Sequence, residues 1–113
     1  MMVCFTSMRI MISQPMRNKA NEQIRAERKE IVQELAKRNY EVIDTIFEEE
    51  APKGTNIPVY YLGKSIEALS KADKVLFMDG WENTRGCILE HEICLRYEIP
   101  IIYENEVRGL KGE

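Results

Sequence analysis

One histidine, one tryptophan, four prolines and three cysteines are all that 113 residues contain of those types, and the shortages close off several chemistries. With a single imidazole, a Ser-His-Asp arrangement can run only through His91, and no Gly-x-Ser-x-Gly elbow is present to carry its nucleophile. Cys4, Cys87 and Cys94 include no Cys-x-x-Cys pair, so the spacing of a zinc knuckle is missing. Cys87 and Cys94 stand seven apart in what reads as one helix, about 10 Å along its axis, which is beyond disulfide reach. Free thiols in a reducing compartment are expected. Positive charge is not in excess either: 16 Lys and Arg against 19 Asp and Glu leave a net charge of −3, too little to hold a duplex by counterion release. No apolar run approaches the roughly 18 to 20 residues of a membrane span, and the first residues lack the pattern of a signal peptide. A cytoplasmic protein with neither duplex nucleic acid nor membrane as partner is expected.

What the chain does have is 44% apolar and 31% charged residues, enough for one compact core and one domain over residues 1–113. Met8 to Ser13 is a short apolar run closed by Gln14-Pro15, the length of a buried strand; the seven residues before it read as a peripheral extension. Ala20, Ile24, Ile31 and Leu35 then mark one face of a helix over Asn18 to Tyr40, with Asn39 suited to its left-handed end. Tyr40 to Phe47 returns to β-branched and aromatic residues. After a polar loop, Asn56 caps and Pro58 enters a second helix whose apolar stripe is Val59, Leu62, Ile66 and Leu69. Lys74 to Met78 is a third strand, Arg85 to Tyr97 a third helix, and Ile99 to Tyr103 a fourth strand. Residues 105–113 are an edge strand or a tail. Strands alternating with helices predict a small doubly wound α/β fold: a mostly parallel sheet with helices on both faces.

Ligands of such sheets lie beyond the carboxyl ends of the strands, which directs attention to three loops. Ser13 to Lys19 leads into a helix, where free N–H groups favour an anion and Arg17 adds a charged donor. Phe47 to Ile57 follows the second strand. The third loop, from Asp79 through Trp81 to Gly86, enters the third helix. There, a Trp among polar groups suits a sugar or base pocket, Gly86 lets a ligand approach backbone, and Glu90 projects near the same mouth. Against that, carboxylates at a helix start are favoured by the dipole with no ligand at all. Cys87, His91 and Cys94 share one helical face, but three ligands on one straight helix do not converge on a tetrahedral ion. They read as small buried side chains and a polar contact, and no metal or cofactor is expected.

Several segments together resemble a known grouping. They are Ile10 to Arg17, Tyr61-Leu62-Gly63-Lys64-Ser65, Ala72-Asp73, and Gly80-Trp81-Glu82-Asn83 through Gly86-Cys87-Ile88-Leu89-Glu90-His91, followed by Ile99 to Ile102. From Met8 to about Tyr103 they resemble an uncharacterised bacterial and phage domain family of the nucleoside 2-deoxyribosyltransferase-like superfamily. The resemblance implies a flavodoxin-like sheet, a homodimer or larger homo-oligomer, and a nucleoside or nucleotide ligand. It also implies a Gly-x-x-x-Glu nucleophile, which falls on Gly86 and Glu90, and a sugar- or phosphate-holding loop, which falls on Ser13, Gln14, Met16 and Arg17. Asp79 and Trp81 would complete the substrate pocket. Attack of a carboxylate on an anomeric carbon, then resolution by water or a second base, gives an N-glycosidase or a transferase.

One departure stands out: where the enzymes carry an Asp ahead of the third strand, this chain has Ser65, which is not an acid at neutral pH. The alternative is therefore a non-catalytic module that senses a nucleotide or nucleotide-sugar. A flavin-binding relative would need a first loop rich in Ser, Thr and Gly, and Gln14 to Lys19 is not. A purely structural phage or host-interaction protein is a further alternative.

Overall fold

A computed structural model describes residues 8–47 and 49–108. The proposed extension at residues 1–7, Cys4 within it, and the last five residues lie outside them. Four strands form one sheet: β1 (Met8–Ser13), β2 (Tyr40–Ile43), β3 (Lys74–Phe77) and β4 (Ile101–Tyr103). Their order is β2-β1-β3-β4, and every pairing is parallel. This is the order of a flavodoxin-like doubly wound sheet. Four helices flank it: α1 (Asn21–Lys37), α2 (Ile57–Leu69), α3 (Arg85–Arg96) and the short α4 (Glu104–Arg108).

Alternation along the strands sorts the core into two layers, because successive side chains point to opposite faces. Ile10, Ile12, Leu76 and Met78 meet Ile31 and Leu35 of α1 and Val107 of α4. Met11, Val75 and Phe77 meet Ala68 and Leu69 of α2 and Cys94 of α3. The inner strands β1 and β3 are apolar on both faces, as parallel strands covered by helices must be.

Several boundaries differ from those the sequence suggests. The first helix starts at Asn21, three residues late, because Met16 to Lys19 closes a turn with Asn18 at φ 62°. Ala20 is therefore an exposed cap residue, and the fourth member of the buried face is Arg28. β2 ends at Ile43 rather than Phe47, because the Asp44 carboxylate accepts from the Ile46 N–H at 2.9 Å and turns the chain out of the ladder. The second helix buries only Ala68 and Leu69; of the predicted stripe Leu69 packs in the core, whereas Val59 is 60% and Ile66 37% exposed. Residues after Tyr103 begin a helix rather than an edge strand. Asn56 does cap α2, its Oδ1 accepting from the Val59 N–H at 3.2 Å, and Asn39 does adopt the left-handed conformation, at φ 63°.

β1 pairs with β2 only from Met8 to Met11, but with β3 from Ile10 to Ser13. The last two residues of β1 thus run past β2, and the cavity described next opens where β2 stops.

Candidate functional site

Between α2 and α3, over the carboxyl end of β1, lies a cavity of about 1010 Å³. This is the point where the winding of the sheet reverses, since β2 lies on one side of β1 and β3 on the other. Its floor is Met11 to Gln14; one wall is α2, the opposite wall is the first turns of α3, and Thr45 and Thr55 contribute from the loop after β2. Helical spacing explains which side chains reach it. Pro58, Tyr61, Leu62 and Ser65 recur at i, i+3, i+4 and i+7 on α2, and Gly86, Cys87 and Glu90 share a face of α3.

Glu90 is the chemical centre. It is 5% exposed, and its Oε1 accepts from the Ser13 hydroxyl at 2.6 Å. Ser65 of α2 lines the same cavity and favours the charged form of the carboxylate. Burial pushes the Glu90 carboxyl above its ordinary value, and the two hydroxyls partly offset that rise by favouring the charged form. Beside it, burial drives the Cys87 thiol up to about 11, against the opposing pull of the Ser13 hydroxyl. A thiol held protonated in this way is a weak nucleophile, so Glu90 is the stronger candidate of the two.

The remaining polar groups are laid out in layers. Gln14 is buried; its Nε2 donates to the Ile24 carbonyl at 2.8 Å, and its Oε1 has no partner. That oxygen is buried and unsatisfied, which is a cost to the fold. Arg17 and Arg85 line the mouth and are exposed. Thr84 precedes α3 without a side-chain bond to its free N–H groups, and with the two arginines these make the mouth favourable to an anion. A Cβ at Gly86 would meet nothing within 4 Å, so the glycine leaves open space at the edge. Among the described residues no group of His, Cys, Asp and Glu is arranged to hold a metal ion.

Of the residues singled out from the sequence, Ser13, Gln14, Met16, Arg17, Gly86 and Glu90 surround this one cavity. Asp79 and Trp81 do not. They line a separate cavity of about 290 Å³ with Phe77, Glu82, Tyr103 and Asn105, so the expected pocket divides in two. The cause is local. Gly80 takes φ 93° and Trp81 to Asn83 form a 3-10 turn, which carries the indole toward the end of β4. There it stacks on the His91 ring, centroids 4.0 Å apart, while His91 Nε2 and the Tyr103 hydroxyl are hydrogen-bonded at 2.7 Å. His91 thus has the polar contact expected of it, within an aromatic cluster. Cys87 and Cys94 are buried free thiols.

Tyr61, Leu62, Thr45 and Arg85 also line the cavity, with no motif in the sequence to mark them, and Ser65 stands out in the sequence only as a missing acid. The 58-61-62-65 spacing on α2 is the signal that would have found most of them.

Residues 8–103 match the family model described as "Domain of unknown function (DUF4406)", and the chain belongs to that family. No curated protein and no solved structure matches it.

Proposed function

We propose that this member of the DUF4406 family binds a nucleoside or nucleotide between α2 and α3 and cleaves or transfers its N-glycosidic bond, with Glu90 as nucleophile. The observation that carries the reading is the buried Glu90 carboxylate, held at 2.6 Å by Ser13 at the switch point of the sheet. A carboxylate oriented by a hydroxyl and stripped of water is suited to attack an anomeric carbon. The sugar would lie over Ser13 and Glu90. A phosphate, where present, would meet Arg17, Arg85 and the N–H groups that open α3. The base would lie along Met16, Tyr61 and Leu62. Displacement of the base leaves a glycosyl ester on Glu90; water or a second base then attacks from the opposite side, and configuration is retained overall. These features accord with the likeness to nucleoside 2-deoxyribosyltransferase-like enzymes.

The mouth of the cavity is lined by exposed Ile57, Val59 and Leu89. An apolar rim of this kind suits a second copy of the chain, in keeping with a homodimer or larger assembly. A reducing, cytoplasmic setting suits the free thiols. A second reading, a non-catalytic nucleotide or nucleotide-sugar sensor, is favoured by Ser65, since a hydroxyl stands where an acid would assist a leaving base.

The deciding experiment is base release from a panel of nucleosides and monophosphates, read by chromatography beside Glu90→Gln. Release that falls roughly 10³-fold or more in the variant is the expected result for a nucleophile. Ligand-induced thermal stabilisation with no turnover would favour the sensor.

A further inference from the structure

Resting on the glycosidic reading above, we infer that the preferred substrates are N-glycosides whose base leaves without needing a proton, namely cationic pyridinium-type N-glycosides, because only hydroxyls face Glu90 across the cavity. A neutral purine or pyrimidine departs as an anion unless an acid protonates it, so its cleavage calls for a second titrating group near the nucleophile. The described residues around the cavity provide none. The Ser13 hydroxyl donates its proton to Glu90 itself, and Ser65 offers only an aliphatic hydroxyl, which is no acid near neutrality. Tyr61 gives its proton to the Glu49 carbonyl at 2.7 Å. The Cys87 thiol, pushed up to about 11, is a poor proton donor near neutrality, and Arg17 and Arg85 are exposed at the mouth.

A pyridinium leaving group removes the need. A Glu90 oxygen forms a bond to the anomeric carbon as the carbon–nitrogen bond breaks, and the bonding pair moves onto the ring nitrogen, cancelling its positive charge. The base leaves neutral, with no proton transferred. Water then attacks the anomeric carbon of the glycosyl ester; the Glu90 carboxylate is released and the water's proton passes to solvent. Electrostatics points the same way. Glu90 is the only carboxylate among the described residues lining the cavity, and both of its cations are exposed at the mouth. A cationic ring entering beside the buried carboxylate is therefore attracted, whereas a leaving group that is itself anionic would be repelled.

The test compares nicotinamide riboside and its 5′-monophosphate with 2′-deoxyadenosine, 2′-deoxycytidine and their monophosphates, and with ribose 1-phosphate. The assay uses the full chain, with Glu90→Gln as control. The expected result is a kcat/KM at least a hundredfold higher for the pyridinium compounds, abolished in the control. The rate should rise as Glu90 ionises and then stay level at alkaline pH, with no falling limb to report an acid. Cleavage of the neutral-base compounds or of ribose 1-phosphate at comparable or greater rates would overturn the inference while leaving the glycosidic reading intact. A bell-shaped pH profile for the pyridinium compounds would overturn it too. Cleavage of none of them would remove the glycosidic reading and the inference together.

Discussion

Two buried charged side chains, Glu90 and Arg28, show how far a single residue can depart from what its neighbours suggest. Glu90 is held in a dry site that favours its neutral form, so the folded state keeps a proton over a range of pH in which the unfolded chain has already lost it. Raising the pH through that range, from the ordinary carboxylate value to the raised folded one, costs stability, and above it the whole penalty is felt. Glu90→Gln carries no such penalty. It is expected to melt at a higher temperature than the parent at pH 7, with the advantage shrinking as pH falls and gone below the ordinary carboxylate range; melting curves at pH 7 and pH 3 check this. A variant less stable at pH 7 would mean that the hydroxyls of Ser13 and Ser65 outweigh burial. Glu90 was picked out by the resemblance, whose Gly-x-x-x-Glu pattern falls on Gly86 and Glu90; by itself a carboxylate at a helix start is favoured by the dipole with no ligand. Arg28 was not picked out, because a guanidinium in the gap between Ile24 and Ile31 looks like a solvated residue. Its Nη2 reaches the Ile43 carbonyl at 3.5 Å while Nη1 has no partner, and burial lowers its affinity for its proton. Only the end of β2 folding over α1 makes that position interior.

Among the three long helices, α2 has the fewest buried residues. Ala68 and Leu69 are its only buried residues, and its middle is tied to the loop after β2 through one residue: Glu49 accepts from the Tyr60 hydroxyl at 2.9 Å and pairs with Lys64 at 2.8 Å. Exposed pairs of this kind contribute little, so the Asn56 cap matters more than it would in a well-packed helix. Asn56→Ala is expected to weaken α2 by about 1 kcal/mol. Hydrogen exchange should show faster amides over Ile57 to Ser65 with little change in β1 and β3. Uniform acceleration across the sheet would show that α2 opens only with the whole molecule. Helix and strand types were readable from periodicity and breakers, and α2 itself was found through Asn56 and Pro58. Its orientation was not, because an apolar sequence such as Val59, Tyr61, Leu62 and Ile66 offers two candidate faces. The wall of a cavity and a packing stripe look alike until the opposite helix is in view.

For the molecule as a whole, the two inner strands join the layers. Leu76 is fully buried between β1 and the α1 side of the core, so Leu76→Ala is expected to cost about 2 to 5 kcal/mol. The loss should appear as one cooperative shift of the denaturant midpoint; separate transitions would show that the α1 and α2 sides unfold independently. The alternation of strands and helices announced a doubly wound fold, and with it where a ligand site would lie. The order β2-β1-β3-β4 was not readable, because each strand's own residues say that it is buried and not which neighbour buries it. That order has a consequence in time. β1 is an inner strand made early, yet β3, its partner through Ile10 to Ser13, is made about 60 residues later, a delay of roughly 3 to 12 s at ordinary rates of synthesis. During that interval the nascent chain exposes one of its most apolar segments with one edge unpaired. How well the protein accumulates in a cell should therefore depend on translation speed between Ser13 and Lys74, and on chaperones that shield the edge until β3 emerges.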